Sequence, residues 1–185
     1  ILMLYFLSNN YRTYRAVSIM KMYQNYQKIR SLNVSNTNNQ FLIKNSSIAS
    51  SYNPCNVGNQ TFDYLNIQAL GAVLRSGARY LEFEIFNSTF GEGAEPVVSV
   101  GHLKGEWKLT LNIIYFENIC QYIAENAFSV LDDTKGVPNN DDPLFIGLNL
   151  KTNGNLKCLN LINDYIIQYW SDHLLGPDYM NQGGN

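Results

Sequence analysis

The stretch RYLEFEIF, residues 79–86, decides the fold. Its aromatic and β-branched residues predict a β-strand. Glu82 and Glu84 stand at alternate positions, so they share one face of that strand. Such acids usually face solvent or pair with a base such as Arg79. In a strand buried on both faces, however, carboxylates are costly unless they serve a site.

Short apolar runs and helical patterns alternate on both sides of this strand. Further strands are predicted at residues 47–51, 96–101 and 143–150, and helices at 64–75, 111–128 and 156–170. This alternation, with strands buried on both faces, is typical of a parallel sheet in an α/β fold. Gly77, just after the first of these helices, is expected to cap it.

The first 62 residues carry six bases and no acid, whereas the remainder carries seven bases and fifteen acids. An amphipathic basic helix is predicted at 11–30, a polar linker at 31–40, the folded domain at 41–176 and a flexible tail at 177–185. The opening ILMLYFL is too short to cross a bilayer, which takes roughly 20 apolar residues. It is either the end of a transmembrane helix that begins upstream or an ordinary buried element.

A cationic segment of net +6 joined to a body of net −8 predicts an anionic surface as partner. We expect residues 1–30 to contact a membrane or anionic lipid, and other proteins to join the domain in a larger assembly. Nucleic acid is disfavoured, because the acidic body would repel it. Cys55, Cys120 and Cys158 have no metal-type spacing and predict buried thiols on the cytoplasmic, reducing side.

Five segments in order resemble the X region of phosphoinositide-specific phospholipase C. They are SSYN (50–53), GARYLEFE (77–84), EPVVSVGH (95–102), ENAF (125–128) and PLFIGLNL (143–150). The resemblance implies the X half of a TIM-like (β/α)8 barrel over residues 41–176.

The resemblance also implies phosphodiester cleavage by two histidines and Ca²⁺, which is general acid–base and metal catalysis. The first histidine position holds Tyr52 and the second holds Val100. A phenol with a pKa of ~10 is a poor proton carrier at neutral pH, and valine carries none. We therefore expect no catalytic residue at these positions.

The family's metal ligands fall on Asn53, Glu82, Glu84 and Asn149 in this sequence. Asn149 replaces a carboxylate, which weakens a Ca²⁺ site. We expect a ligand pocket formed by these four residues and Lys151, and no cofactor. A weak Ca²⁺ site on Asn53, Glu82 and Glu84 is the alternative.

Other residues are candidates to replace the lost imidazoles. His102 lies two residues beyond Val100, so on an extended strand it faces the same side and is the candidate substitute acid. His173 is expected to be a surface or capping residue. Lys104 and Lys108 lie near the expected mouth and are candidates to hold an anion.

These features predict a catalytically inactive phospholipase-C-like domain that serves as a membrane-proximal structural or binding module. Asparagine makes up 25 of the 185 residues, which is typical of an AT-rich genome. A minor structural component of a large DNA virus particle is therefore the assembly that composition suggests. The alternative is an active phosphoric diester hydrolase of the phosphatidylinositol type that uses Tyr52, His102 and a metal on Glu82 and Glu84.

Overall fold

The computed structural model describes residues 47–59, 61–88, 94–102, 107–132 and 135–176, and eight single positions between 3 and 21. The linker predicted at 31–40 and the tail predicted at 177–185 lie outside these ranges. A basic helix at 11–30 is not supported: five of its positions are described as helical, too few to define the element. In the described part of the chain, no helix is long and apolar enough to span a bilayer.

The fold is a mixed sheet with helices packed on one face. The strands are β1 (Ser50–Tyr52), β2 (Tyr80–Asn87), β3 (Pro96–Val98), β4 (Gly101–His102), β5 (Trp107–Lys108), β6 (Ile114–Tyr115) and β7 (Phe145–Lys151). The helices are α1 (Ile67–Arg75), α2 (Phe116–Asn126) and α3 (Leu156–Trp170), with a short 3-10 turn at Ser171–His173. This confirms the predicted α/β class.

Strand β2 is the centre of the sheet. β7 pairs with it in parallel along one edge, while β1 (parallel) and β3 (antiparallel) share the other edge. β6 then pairs antiparallel with β3. The predicted parallel sheet is therefore confirmed for β1, β2 and β7, and it is wrong for the antiparallel pairings of β3 with β2 and with β6.

The strand predicted at 96–101 breaks at Ser99 and Val100. Ser99 N donates to Glu84 O at 3.3 Å, and Val100 O accepts from Leu109 N at 2.7 Å. The backbone thus leaves the sheet and continues into the β4–β5 hairpin, which lies next to the carboxyl end of β2.

The apolar face of β2 forms the core. Leu81, Phe83 and Ile85 are fully buried beneath the helices. All three cysteines are buried with free thiols, as the sequence predicts. The opposite face of β2 carries Glu82 and Glu84, followed by the fully buried ring of Phe86.

Helix boundaries follow from local capping. Asn66 accepts from Gln68 N at 2.9 Å and starts α1 at Ile67, three residues later than predicted. Asn112 makes two hydrogen bonds with the backbone of Leu65, at 2.7 and 2.9 Å, which keeps residues 111–113 out of α2. Gly77 has a φ of 94°, the left-handed conformation expected after a helix end.

Arg79 lies at the amino end of β2 and contacts neither glutamate of that strand. It donates to Ala127 O at 2.8 Å and to Asn139 O, where it ties down the loop before β7. The alternative in which the acids of this strand pair with Arg79 is therefore wrong, because its side chain bonds to the loops at the amino end. His173 stacks on Phe128 with ring centroids 4.1 Å apart, and the Arg79 guanidinium lies over the same Phe128 ring at this end.

Candidate functional site

Polar side chains from three strands meet on the face of β2 that is opposite to the helices. In the sheet register, Tyr52 of β1 lies beside Glu82, and Asn149 of β7 lies beside Glu84. Lys151 follows two residues after Asn149 and so shares its face. The site therefore sits at the carboxyl ends of parallel strands, where α/β barrels place their chemistry.

Glu84 is the centre of this site and is only 4% exposed. Its Oε1 contacts Lys151 Nζ at 2.7 Å and accepts a hydrogen bond from the Tyr52 hydroxyl. Its Oε2 accepts from Gly101 N at 3.0 Å. Both carboxylate oxygens are therefore already bonded to donors of the protein itself.

Lys151 is also buried and is held on three sides. Besides the pair with Glu84, its Nζ donates to Gly101 O at 2.7 Å and lies 5.4 Å from the centre of the Phe86 ring. The Nζ of Lys108 lies 5.8 Å from the same ring centre. A buried ion pair is tolerated when geometry and further hydrogen bonds compensate for lost hydration, and the Glu84–Lys151 pair has both.

Asn53 follows β1 and turns the chain at the edge of the site with a φ of 49°. Its N–H donates to Glu82 O at 2.8 Å, which holds the backbone of Asn53 beside the first half of β2. The side chain is 3% exposed and interacts with the Tyr52 hydroxyl. Glu82 is half-buried beside it.

A tyrosine, an asparagine and two alternating acids thus lie together at the carboxyl ends of the parallel strands β1, β2 and β7. Residues 39–183 match the phosphatidylinositol-specific phospholipase C X domain. The chain belongs to that family. No curated protein sequence matches this X domain.

Solved phospholipase C structures share the fold. PLC21 of S. officinalis matches with a TM-score of 0.55 and 23% identity over 69% of this chain, and PLC21 of L. pealei with 0.52 and 20% over 68%. The matches cover 14% and 13% of those two chains. The present chain therefore spans a small part of these structural relatives.

Tyr52, which the sequence resemblance sets at the family's first histidine position, donates its hydroxyl hydrogen to Glu84. Burial of the hydroxyl end, this hydrogen bond and the charge of Glu84 raise its pKa to about 12, with a small opposing effect from Asn53. Tyr52 is therefore neutral at pH 7 and serves as a donor to a carboxylate. It cannot exchange protons at a useful rate near neutral pH.

Val100, which the sequence resemblance sets at the second histidine position, is 7% exposed, and its backbone carbonyl accepts from Leu109 N. The backbone of His102 lies in β4 directly after Gly101, but its side chain is outside the described part, as is Lys104. His173 lies at the opposite end of the sheet. Among the described side chains, therefore, no imidazole reaches Glu84.

The residues do not fit the Ca²⁺ that the family implies. Within the described ranges, no three acids, histidines or cysteines are grouped to hold a metal. Glu84 is bonded to the Lys151 ammonium at 2.7 Å. An ammonium and a divalent ion about 4 Å apart repel by about 8 kcal/mol at an effective dielectric constant of about 20. Asn149 supplies an amide where a third carboxylate would be needed.

One contact at the rim of the site was not anticipated. Arg15 Nη1 lies 2.9 Å from Asp63 Oδ2, and Asp63 also accepts from the N–H groups of Asn59 and Tyr64 at 2.9 Å each. Asp63 is the first acid of the chain, so the acid-free segment is joined to the body at the first carboxylate available. This position of Asp63, directly after the acid-free segment, was the only sign of the ion pair in the sequence.

Proposed function

We propose that this X domain is catalytically inactive and acts as a structural or binding module close to a membrane. The observation that carries the proposal is the closed network in which Tyr52 and Lys151 both bind Glu84. The positions expected to carry protons and metal are thus occupied by groups that neutralise one another, and Val100 adds no proton carrier. A general acid or base contributes about 10²- to 10⁴-fold each, so the loss of two leaves little turnover.

An activity assay tests this directly. The purified chain is incubated with phosphatidylinositol vesicles and Ca²⁺, and cyclic inositol phosphate is measured against an active phospholipase C of the same family. We expect no product above the vesicle blank. Turnover that disappears in Glu82→Ala would contradict the proposal, whereas turnover that survives this change points to a contaminant.

Charge supports the membrane part of the proposal. The first 62 residues carry net +6, and basic segments are attracted to anionic leaflets by about 1 kcal/mol per base near the surface. The acidic body, at net −8, would face away from such a surface. The Arg15–Asp63 pair would keep the basic segment near the domain.

Vesicle co-sedimentation tests this part. We expect the chain to pellet with phosphatidylserine-containing vesicles at low salt and to dissociate from them at high salt. It should not bind neutral phosphatidylcholine vesicles. Replacement of Lys21 and Lys28 by glutamine, two of the six bases in the first 62 residues, should weaken pelleting. A matched variant with Lys135 and Lys157 replaced, bases of the acidic body, should pellet as the wild type does.

A role within a larger assembly follows from inactivity together with membrane attachment. The asparagine-rich composition favours a large DNA virus particle, with this domain as a minor component facing an internal membrane. Proteomics of purified particles should then detect the chain in the fraction that detergent releases with the membrane. Detection only in infected-cell cytosol would count against this role.

The second candidate is an active phosphodiesterase with changed chemistry. It is favoured by one observation: His102 directly follows Gly101, whose N–H binds Glu84 at 3.0 Å. In that case His102→Ala should abolish the cyclic product while Tyr52→Phe reduces it. The same assay therefore separates the two functions.

A further inference from the structure

Asp63 lies in a loop that fixes its carboxylate independently of the N-terminal segment. Asn56 and Leu65 pair at the base of this loop. The two carboxylate oxygens of Asp63 accept from the N–H groups of Tyr64 and Asn59, at 2.9 Å each. Only 7% of the Asp63 side chain is exposed. The loop therefore presents a negative charge whose position is set by the domain itself.

Gly58 leaves space in this loop for the guanidinium of Arg15. Arg15 Nη1 lies 2.9 Å from Asp63 Oδ2, and a Cβ atom at position 58 would overlap both the guanidinium and the carboxylate. Gly58 N donates to Asn56 Oδ1 at 3.1 Å, which fixes the turn. The φ of Gly58 lies outside the left-handed region, so the backbone conformation does not require glycine here. The contact with Arg15 and Asp63 does.

We propose that Gly58 and Asp63 form a receptor for Arg15, and that an anionic membrane competes with Asp63 for this arginine. The inference rests on the proposed membrane attachment and adds a means of regulating it, because the docked chain offers one base fewer to the lipid. Arg15 is one of the six bases in the acid-free first 62 residues, and its side chain is 32% exposed when docked. Since Asp63 is buried, Arg15 must leave it to reach a lipid headgroup.

The two partners of Arg15 are similar enough in strength for this competition to change binding. A partly exposed ion pair contributes little to stability, and one base near an anionic leaflet changes the binding constant about fivefold. Release of Arg15 should therefore raise the affinity for anionic vesicles by up to about fivefold. Loss of an arginine that is already docked should leave this affinity nearly unchanged.

Vesicle binding of the whole chain measures the competition. Apparent dissociation constants for phosphatidylserine-containing vesicles are compared for the wild type, Gly58→Ala, Arg15→Gln and the double variant. We expect Gly58→Ala to bind up to about fivefold more tightly, because the added methyl group displaces the guanidinium without a change in charge. Arg15→Gln should bind as the wild type does, and the double variant should lose the gain. Gly176→Ala is the matched control, since a Cβ atom there meets nothing within 4 Å.

Limited trypsin digestion measures the docking without a membrane. Trypsin binds arginine in an acidic pocket of its own, so it cleaves after Arg15 only when the guanidinium has left Asp63. We expect this cleavage, followed by mass spectrometry, to be up to about fivefold faster in Gly58→Ala than in the wild type or Gly176→Ala. Should Gly58→Ala not fold, Asp63→Asn takes its place, with Asp164→Asn on the exposed face of α3 as its control.

Three results would overturn the inference. One is a rate of cleavage after Arg15 that Gly58→Ala leaves unchanged, because the loop would then not hold the arginine. Another is faster cleavage without tighter vesicle binding. The third is an Arg15→Gln chain that binds vesicles about fivefold more weakly than the wild type. If no variant binds the vesicles, the proposed membrane attachment fails and the competition with it, while the trypsin rates still decide whether Gly58 and Asp63 hold Arg15.

Discussion

At the scale of single residues, the site is a network of charges and hydrogen bonds centred on Glu84. Tyr52 offers a phenol that stays neutral, Val100 offers hydrocarbon, and Lys151 supplies a positive charge that cannot leave. Glu84 depends on this network most, because it is a carboxylate buried at 4% exposure.

The Glu84–Lys151 pair predicts an asymmetric response to mutation. Glu84→Ala leaves the Lys151 ammonium buried without its counter-charge and should lower the free energy of unfolding by about 3–5 kcal/mol. Lys151→Met should cost less, about 1–3 kcal/mol, because Glu84 keeps the Tyr52 and Gly101 donors. Urea unfolding of both variants measures the difference.

The double variant is the control for this asymmetry. Glu84→Leu combined with Lys151→Met leaves neither charge unpaired, so it should be more stable than Glu84→Ala alone. Equal losses in all three variants would show that packing, rather than charge, governs the site.

The raised pKa of Tyr52 predicts that the stability of the fold falls at high pH. Its folded pKa of about 12 exceeds the ordinary value of 10.0, so the unfolded chain loses this proton first. The stability from its bond to Glu84 is therefore complete below pH 10 and is lost as the pH rises from about 10 to about 12. Below pH 10, wild type and Tyr52→Phe should differ by a constant amount, and the difference should shrink above it. Absorbance titration of both proteins at the phenolate band locates the tyrosine concerned.

At the scale of elements, sequence patterns predicted the strands and helices but not every hydrogen bond that sets where the helices begin. α3 begins at Leu156 as predicted because Asn155 caps it, a local signal that a sequence displays. α1 starts later than predicted because Asn66 caps it through a local bond to Gln68 N, a signal that periodicity overlooks. α2 starts later because Asn112 binds the backbone of Leu65, 47 residues away, and such a partner depends on tertiary packing, which periodicity does not report.

The same limit applies to the site. The resemblance brought Tyr52, Asn53, Glu82 and Glu84 together by position, and register places Asn149 beside Glu84. The direction in which Lys151 points was not predictable, because alternation gives its face but not its partner. Only the structure shows that Lys151 pairs with Glu84.

The ion pair between Arg15 and Asp63, an acid in the loop from β1 to α1, predicts a different loss of stability for each partner. Arg15→Ala removes a partly exposed pair and should change stability by less than about 1 kcal/mol. Asp63→Ala also removes the acceptor for Asn59 and Tyr64 N–H, so it should cost about 1–3 kcal/mol. Thermal unfolding measures both, and Asp63→Asn should lie between them. Equal effects would show that the pair alone stabilises this loop.

At the scale of the whole molecule, the described sheet is open where a barrel would continue. β7 pairs with β2 along one edge, and in the part of the chain that the structure describes no strand pairs with its other edge. The solved relatives are much longer, and the match covers 14% of the S. officinalis chain. An unpaired edge strand is a place where another strand can be added.

Amide hydrogen exchange of β7 should reveal this open edge. Phe145 N donates to Arg79 O at 2.8 Å, so in a parallel ladder the amides of Gly147, Asn149 and Lys151 also point towards β2. The amides of Ile146, Leu148 and Leu150 then point away from β2, towards the edge of β7 with which no described strand pairs. In the 185-residue chain we expect slow exchange for the first set and fast exchange for the second, resolved residue by residue by NMR. Strong protection of both sets, independent of protein concentration, would mean that the chain covers this edge itself. Protection of the outward set that grows with concentration would mean that a second copy does.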